Sequence, residues 1–377
     1  MQSELLTRGF SRRHLGRLTT LATAGATLPF YNEFALAQEA ERRVSRAAMP
    51  ADAVRISSNE NPLGPCAEAL EAIYAVAKKG GRYGGQESAE FPKLAADQEG
   101  LKPTYVVPYA GSSDPLFRAV CAYVSPARGL VMGDPGYEAG ARAAEFIGAK
   151  VSRVPLKPTY EHDVKAMLKA NPQAGVYYIC NPNNPSGTLT PKEDIEWLVA
   201  NKPAGSIVLL DEAYIHFSNA ESGSSLVAQD KDVIILRTFS KLYGMAGIRA
   251  GLAIGRPDLL DKMRNWGAGM LPVTGMAAAG ASLKQKTLIA DRRKINADIR
   301  ADTLEFLQKK NIAFVPSVSN KFMMDVKRPG MEVVKALAEQ KVFVGRVWPA
   351  WPTHVRVTVG TQEEMNKFKA ALMKVMA

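Results

Sequence analysis

From residue 51 onward, the chain alternates short apolar runs with stretches of helical hydrophobic periodicity. The apolar runs are rich in β-branched residues, which is typical of strands covered on both faces of a parallel sheet. Seven such strands are predicted, at 105–109, 129–132, 151–154, 176–180, 207–210, 233–237 and 250–254. Helical patterns lie between them at 113–123, 138–147, 161–170 and 191–201. This alternation predicts an α/β fold with a mostly parallel central sheet.

The last hundred or so residues predict a second, smaller α+β unit. A long charged helix is expected over about 283–310, with the Asp-Arg-Arg-Lys run at 291–294 on a solvated face. Predicted strands at 322–326, 342–346 and 355–358 surround a helix at 331–340, and a final helix covers 363–376. We therefore expect a large domain at 66–280, a C-terminal domain at 281–377 and an N-terminal arm at 38–65.

The first 37 residues have the pattern of a targeting signal. Arg12 and Arg13 precede an apolar stretch at 18–30 that is rich in Ala, Thr and Gly, and the small residues of an A-x-A site follow at 35–37. This pattern is typical of a twin-arginine export signal, which predicts a periplasmic or exported protein that begins near Gln38 after cleavage. The alternative is a basic leader on a cytoplasmic protein.

Composition narrows the function classes. The 377 residues carry a formal net charge of +11, but the basic residues are scattered and no nucleic-acid-binding signature accompanies them. No apolar segment is long enough for a stable membrane span. The three cysteines lack CxxC spacing and the four histidines lack metal-ligand spacing. The sequence therefore predicts no nucleic-acid partner, no disulfide framework and no metal site, and a basic surface biased toward anionic small molecules.

Four polar strings follow the predicted strands. Open α/β sheets bind ligands beyond the carboxyl ends of their strands, so these strings mark a candidate site. In chain order they are Gly111-Ser112-Ser113-Asp114, Asn181-Pro182-Asn183-Asn184-Pro185-Ser186-Gly187-Thr188, Asp211-Glu212-Ala213-Tyr214, and Thr238-Phe239-Ser240-Lys241 with Arg249 eight residues further on.

In this order and spacing, the NPNNPSGT, DEAY and TFSK…GIRAG strings resemble those of fold-type I pyridoxal-phosphate aminotransferases, and within them the histidinol-phosphate aminotransferase branch. The resemblance runs from about residue 59 to residue 360. It implies the fold-type I architecture, pyridoxal 5'-phosphate as cofactor and a homodimer with shared active sites. The implied reaction moves an amino group from an amino acid or histidinol phosphate to a 2-oxo acid such as 2-oxoglutarate.

The resemblance also implies catalytic roles. Lys241 forms a Schiff base with the cofactor and then moves the α-proton of the substrate, for which its amine must be partly neutral. Asp211 pairs with the pyridine nitrogen and keeps it protonated, so that the ring accepts electrons from the substrate carbanion. Asn184 and Tyr214 hydrogen-bond the phenolic oxygen of the ring.

Further positions match family residues that hold the cofactor. The backbone amides of Ser112, Ser113 and Asp114 open a helix and form an anion site for the phosphate. Further implied cofactor contacts are the phosphate ligands Thr238, Ser240 and Arg249 and the ring-stacking Tyr137. Tyr83 resembles the tyrosine that reaches the phosphate of the neighbouring subunit, although Gly84 replaces the usual proline and loosens that loop.

The substrate is less well defined. Arg356 matches the arginine that grips the substrate α-carboxylate, Asn59 lies in a segment that folds over the site, and Arg346 offers a second anionic contact. Trp348 and Trp351 either line a pocket for an apolar or aromatic donor or pack in an exposed loop. The export signal argues against histidinol phosphate, because histidine synthesis is cytosolic. A decarboxylase or lyase of the same branch, and a non-catalytic binding protein, remain alternatives.

Overall fold

The computed structural model describes residues 6–11, 49–267 and 271–376. Most of the predicted export signal, including Arg12, Arg13 and the A-x-A site, lies outside these ranges. The short described segment before it packs on the folded chain. Arg8 donates hydrogen bonds to the carbonyl oxygens of residues 121, 122 and 124, and Phe10 is buried in the neighbouring core.

Strands and helices alternate through most of the described chain. The strands are β1 (Val54–Ile56), β2 (Val106–Tyr109), β3 (Leu130–Asp134), β4 (Val151–Pro155), β5 (Val176–Cys180), β6 (Ile207–Asp211), β7 (Val233–Thr238), β8 (Gly251–Gly255), β9 (Ala313–Phe314), β10 (Lys321–Asp325), β11 (Val342–Val344) and β12 (His354–Thr358). The helices are α1 (Ala67–Ala77), α2 (Gly85–Glu99), α3 (Ser113–Tyr123), α4 (Ala139–Phe146), α5 (Val164–Ala170), α6 (Lys192–Asn201), α7 (Ser224–Ala228), α8 (Pro257–Arg264), α9 (Val273–Leu283), α10 (Leu288–Lys309), α11 (Gly330–Glu339) and α12 (Gln362–Met376).

A seven-stranded sheet with the order β2-β8-β7-β6-β5-β3-β4 forms the centre of the molecule. β8 runs antiparallel to both of its neighbours, and the other pairings are parallel. Every residue of β5, β6 and β7 is buried, because helices cover both faces of the sheet. In the register, Cys180 pairs with Asp211 and Asp211 pairs with Leu236, so the carboxyl ends of the three strands lie side by side.

The two faces of this sheet carry separate hydrophobic cores. On one face, α3, α4 and α8 contribute buried side chains such as Leu116, Ala141 and Leu260. On the other face, α1, α2, α5, α6 and α9 contribute the buried side chains Ala69, Phe91, Met167, Leu198 and Met276. Burial of such side chains contributes roughly 1.5–3 kcal/mol each for the larger ones, so the sheet is a rigid base for the loops at its edge.

The C-terminal unit contains a three-stranded antiparallel sheet with β10 between β9 and β12. A second, two-stranded pairing joins β1 of the N-terminal arm to β11 in parallel, with Ile56 opposite Val344. Helices α11 and α12 cover these strands and form a third core with them. The arm thus packs on the C-terminal unit before the chain enters the large sheet, and the predicted domain boundaries stay predictions.

The predicted α/β fold is confirmed, and all seven predicted strands of the large sheet occur within about two residues of their expected ends. The helix expected over 283–310 is divided, because α9 ends at Leu283 and α10 begins at Leu288. The prediction of a solvated face at 291–294 is wrong for Arg292, which is buried and donates to the carbonyl oxygen of Leu242. Arg293 is half-buried and donates to the carbonyl oxygen of His216 and to the side chain of Asn219.

Candidate active site

A cavity of about 300 Å³ opens where β5, β6 and β7 end, between the large sheet and the N-terminal arm. Parallel strands present the residues after their carboxyl ends to one common edge, which explains why distant motifs meet here. Its lining includes the predicted residues Ser112, Ser113, Tyr137, Asn184, Asp211, Tyr214, Thr238, Ser240, Lys241 and Arg249.

Lys241 lies in this cavity on the loop that follows β7. The side chain is buried, and its Nζ donates a hydrogen bond to the carbonyl oxygen of Ser58, 3.1 Å away. The same Nζ lies 5.8 Å from the centre of the Tyr214 ring. Ser58 belongs to the arm, so the loop that carries the amine is bridged to a second chain segment.

Asp211 is the last residue of β6, and its carboxylate is buried at the floor of the cavity. Burial raises its pKa, and four groups oppose that effect. The Tyr178 hydroxyl donates to Oδ2 at 2.8 Å, and the Ala213 amide donates to Oδ1 at 3.1 Å. The positive charges of Lys321 and Lys241 also favour the ionised form. The carboxylate is therefore held in a fixed orientation by two donors.

Tyr214 and Asn184 each have a partner on another part of the chain. Asn59 Nδ2 donates to the Tyr214 hydroxyl at 2.9 Å, and Arg356 Nη1 donates to Asn184 Oδ1 at 3.0 Å. Asn59 is itself fixed by Thr358, whose Oγ1 accepts from the Asn59 amide and donates to Asn59 Oδ1. Asn59 and Arg356 were predicted to bind substrate; in the structure they are buried beside the lining residues, and their substrate role stays a prediction.

A cationic cradle lies at the start of α3. Arg249 donates to Ser240 Oγ at 3.1 Å and to the carbonyl oxygens of Ala110 and Ala246 at 3.0 and 2.8 Å. Burial lowers its pKa, and its hydrogen bonds within the described ranges all go to neutral oxygens. A half-buried guanidinium with uncharged partners, beside the open amides of a helix start, suits a phosphate dianion.

At Gly111, the backbone packs closely against the Arg249 guanidinium. Its φ of +94° favours glycine, and a Cβ added there would lie only 2.2 Å from Arg249 Nη2. Ser240 Oγ also accepts a hydrogen bond from Thr238 Oγ1 at 2.9 Å, which aligns the two hydroxyls on the other side of the guanidinium. The residues present therefore fit the phosphate of pyridoxal 5'-phosphate.

Besides Asn59 and Arg356, three predicted residues have side chains outside the cavity lining. Asp114 forms a bidentate ion pair with Arg118, so only its backbone amide faces the helix start. Tyr83 is 84% exposed on the surface. Arg346 pairs with Glu138 through two contacts of 2.7 Å and stacks on the Trp348 ring at 4.2 Å. Trp348 is buried with its indole N–H on the carbonyl oxygen of Gly136, so it packs in the core rather than in an exposed loop.

Sequence reasoning missed several lining residues: Ser58, Glu60, Cys180, Ala213, Ala246 and Gly247. Cys180 and Ala213 lie within or directly before recognised strings, so their sequence positions carried a usable signal. Lys321 was also missed, although its Nζ lies 3.1 Å from the centre of the Tyr214 ring. Nothing in the sequence around Lys321 distinguishes it from an ordinary strand residue.

Comparison with known proteins identifies the class. The family model for aminotransferases of class I and II matches residues 51–372, so the chain belongs to that family. It is a pyridoxal-phosphate-dependent aminotransferase, as the fold, the cradle and the buried lysine indicate. Among its relatives, histidinol-phosphate aminotransferase 1 of Nitrosococcus oceani is 34% identical over 330 residues, covering 86% of this chain and 89% of that protein.

Two further relatives agree with this assignment. Histidinol-phosphate aminotransferase 2 of Pseudomonas aeruginosa is 32% identical over 337 residues, covering 87% of this chain and 90% of that protein. The crystal structure of histidinol-phosphate aminotransferase from Sinorhizobium meliloti, in complex with pyridoxal-5'-phosphate, superposes with a TM-score of 0.79 at 26% identity. That alignment covers 90% of this chain and 94% of that structure. The cofactor of this chain is pyridoxal 5'-phosphate.

Two absences concern only the residues that the structure describes. No helix among them is long and apolar enough to cross a membrane. No group of three or more His, Cys, Asp or Glu side chains among them is placed to hold a metal ion. Cys66, Cys121 and Cys180 are free thiols.

Proposed function

We propose that the enzyme moves an amino group from an amino acid or histidinol phosphate to a 2-oxo acid, with 2-oxoglutarate as the expected acceptor. In this proposal Lys241 holds the cofactor covalently through its amine and carries the substrate α-proton. The observation that carries it is the burial of Lys241 in one cavity with Asp211 and Arg249. An amine, a buried carboxylate and an anion cradle are the three groups that this cofactor requires.

Each side chain of the site has a separate role in the proposed reaction. When bound, pyridoxal 5'-phosphate supplies an electron sink for the substrate α-carbon. Asp211 would hold the pyridine nitrogen protonated, and Tyr178 and Ala213 would keep its carboxylate in position. Tyr214 and Asn184 would donate to the phenolic oxygen. Lys241 would take the α-proton of the substrate as general base and later give it up again as general acid.

The donor is proposed from the relatives and from charge. The relatives named histidinol-phosphate aminotransferases support histidinol phosphate as one donor. Arg356, buried beside Asn184, is the proposed contact for the substrate carboxylate or an equivalent anion. Arg346 has its guanidinium on Glu138, so a second anionic group would have to displace that carboxylate. An amino acid with an uncharged side chain does not have to displace Glu138 from Arg346, so amino acids remain among the proposed donors.

We also propose a homodimer in which Tyr83 completes the partner's phosphate site. Exposed apolar side chains around α1 support this, because Tyr74 and Tyr83 are 70% and 84% exposed and Leu63 and Leu70 lie nearby. Mixing inactive Lys241→Ala and Tyr83→Ala subunits tests it. Half of the random dimers would each regain one intact site, about a quarter of wild-type activity. No recovery, in dimers shown to exchange subunits, would contradict a shared site.

Export through the twin-arginine route is proposed from the sequence of the first 37 residues. Replacing Arg12 and Arg13 with lysine keeps the charge and removes the arginine pair. We expect the wild-type protein in the periplasmic fraction and the double-lysine variant in the cytoplasmic fraction. Equal distribution of both proteins would favour a cytoplasmic enzyme with a basic leader.

The central experiment is borohydride reduction of the purified protein with its cofactor, followed by peptide mass mapping. We expect a phosphopyridoxyl adduct on Lys241. The same preparation is then offered amino acids and histidinol phosphate with and without 2-oxoglutarate. Transamination requires the acceptor, whereas carbon dioxide release without one would indicate a decarboxylase. If cofactor-saturated protein carries no adduct on Lys241, the proposed role of this residue is contradicted.

A further inference from the structure

A second buried lysine contacts the site from the C-terminal unit. Lys321 is the first residue of β10 and is fully buried. Its Nζ lies 3.1 Å from the centre of the Tyr214 ring and 3.1 Å from Ser319 Oγ, to which it donates. Lys241 Nζ lies 5.8 Å from the centre of the same ring. The two amines are therefore both close to one phenol ring, and the nearer one has cation–π geometry.

The backbone around Lys321 is fixed, so this side chain is held in place. Its carbonyl oxygen accepts hydrogen bonds from the hydroxyls of Ser317 and Ser319. In the sheet it pairs with Thr358, which positions Asn59 on the Tyr214 hydroxyl. The C-terminal unit thus reaches Tyr214 twice, at the hydroxyl through Asn59 and at the ring face through Lys321.

Lys321 Nζ contacts two groups that suit an ammonium, the face of the Tyr214 ring and Ser319 Oγ. The aromatic face and Ser319 Oγ both favour its charged form. It also acts on the site carboxylate, since its positive charge lowers the pKa of Asp211 more strongly than that of Lys241 does. It likewise opposes the rise that burial causes in the pKa of the Cys180 thiol. A charge that stays on Lys321 disfavours a second charge on a neighbouring amine.

The other charged groups around the two lysines are too few and too mixed in sign to cancel the repulsion between the two amines. Asp211 and Glu60 supply the carboxylates, while Arg249 and Arg356 supply further positive charge. Tyr137, Tyr178, Tyr214 and Cys180 are titratable but neutral at ordinary pH. Near the cavity, the cationic side chains therefore outnumber the anionic ones, which disfavours a further positive charge on an amine there.

We propose that Lys321 is a positioning residue for catalysis, whose ammonium on the Tyr214 ring disfavours protonation of Lys241. Lys241 is thereby more often a free amine, ready to bind the cofactor and to accept a proton. Lys321 itself forms no covalent bond in this scheme. The inference rests on the proposed role of Lys241, and it assigns a purely electrostatic task to a residue of the C-terminal unit.

The test compares Lys321→Met, which removes the charge, with Lys321→Arg, which keeps it. In cofactor-free protein, trace labelling with acetic anhydride across a pH series, read by peptide mass mapping, gives the reactivity of Lys241. We expect Lys321→Met to reduce labelling of Lys241 at neutral pH about tenfold, and Lys321→Arg to stay near wild type. In the cofactor-loaded protein, the pH at which the yellow absorbance changes moves upward in the Met variant alone.

Unchanged labelling in Lys321→Met, or equal shifts in the Met and Arg variants, overturns the inference. Circular dichroism and thermal unfolding check the fold, and Lys321→Gln repeats the measurement if the Met variant folds poorly. The borohydride adduct on Lys241 of the wild-type protein separates the two hypotheses. A missing adduct contradicts the proposed function, whereas an adduct without a labelling shift contradicts only the role of Lys321.

Discussion

The large sheet and the C-terminal unit contribute to the cavity in different ways. In the large sheet, the polar residues of the site lie at or just beyond strand ends, as Asp211, Asn184 and Lys241 do. In the C-terminal unit, Lys321 and Thr358 lie within strands and reach the cavity through an intermediate residue. Residues that face the cavity are grouped in short strings along the sequence, whereas the residues that fix their orientation are scattered along it.

This difference indicates a division of labour. The strand ends of the large sheet are fixed by a fully buried core, so they present reactive groups with little freedom. The C-terminal unit contacts the Tyr214 ring through Lys321 and the Asn184 side chain through Arg356, so it bears on their orientation and on the local charge. Substitutions at the strand ends of the large sheet should therefore abolish the reaction, whereas substitutions in the C-terminal unit should change its rate.

The largest expected effect is that of Lys241→Ala. Loss of the amine removes both the covalent attachment and the proton carrier, so we expect transamination to fall on the order of 10⁴-fold. The fold should survive, because the substitution removes a buried polar group and leaves only a small cavity. Steady-state rates and thermal unfolding of the same preparation measure both. Activity within about tenfold of wild type would contradict the assignment.

Arg237→Met tests whether the large sheet depends on a buried charge network for stability. Arg237 forms ion pairs with Glu212 at 2.7 Å and Glu99 at 2.8 Å, and the carboxylates raise its pKa against the effect of burial. Removing it leaves the buried Glu212 and the partly buried Glu99 without their cation, so we expect the free energy of unfolding to fall by about 3–5 kcal/mol. Denaturant unfolding monitored by circular dichroism measures the change.

Arg256→Met is the matched control for that substitution. Arg256 pairs with Asp232 and Asp258 in a solvent-exposed setting, where ion pairs contribute about 1 kcal/mol or less. Equal losses in the two variants would show that burial of the Arg237 network adds nothing to stability.

The two regions also differed in how far the sequence predicted them. Strands of the large sheet are continuous apolar runs, and runs of this kind are readable from hydrophobicity alone. The polar strings of the site follow those strands directly in sequence, so predicting the strands also predicted where the strings lie in the fold. Helices α1, α2 and α9 were not predicted; Pro92 weakens the helical signal of α2, and Gly275 and Gly280 weaken that of α9.

Long-range pairing explains the remaining differences. Arg346 was predicted as a substrate contact, but its partner Glu138 lies 208 positions away in sequence. Arg292 and Arg293 belong to a charged run that is typical of a solvated face, yet carbonyl oxygens of other segments satisfy them. Lys321 begins a mostly apolar strand, and only its contact with the Tyr214 ring distinguishes it. Such contacts depend on tertiary structure and leave no local pattern.

The next prediction concerns pH and His162, which lies between β4 and α5. Burial lowers the pKa of His162 to about 4, and its Nε2 lies 3.2 Å from the carbonyl oxygen of Cys180. The unfolded chain takes up a proton near pH 6.5, whereas the folded protein does so only near pH 4. Stability from this residue is therefore complete above pH 6.5 and falls as the pH drops toward 4, on the order of 3 kcal/mol.

His162→Gln removes this titration and should flatten the dependence. We expect the difference in unfolding free energy between pH 7 and pH 4.5 to shrink by about 2–3 kcal/mol relative to wild type. His216 is also buried and remains in both proteins, so the comparison isolates His162. An unchanged slope would show that His162 is protonated or solvated in the folded protein.

The smallest expected effect comes from the C-terminal unit, at Thr358. Thr358→Val keeps the branched shape and removes the hydroxyl that accepts from the Asn59 amide at 3.0 Å and donates to Asn59 Oδ1 at 3.2 Å. A buried amide without a partner costs about 1 kcal/mol of stability. Because Asn59 then holds the Tyr214 hydroxyl less firmly, we expect the turnover rate to fall about three- to tenfold as well.

Thr303→Val separates these two effects. Thr303 is also fully buried, and its hydroxyl donates to the carbonyl oxygen of Ile299 within α10, away from the cavity lining. Both valine variants should therefore lose similar stability, while only Thr358→Val slows turnover. If the two variants turn over equally fast, the contacts of the C-terminal unit with Tyr214 serve folding alone. If only Thr358→Val is slow, positioning of Tyr214 from that unit limits the rate, and the same reasoning then applies to Lys321 on the face of the ring.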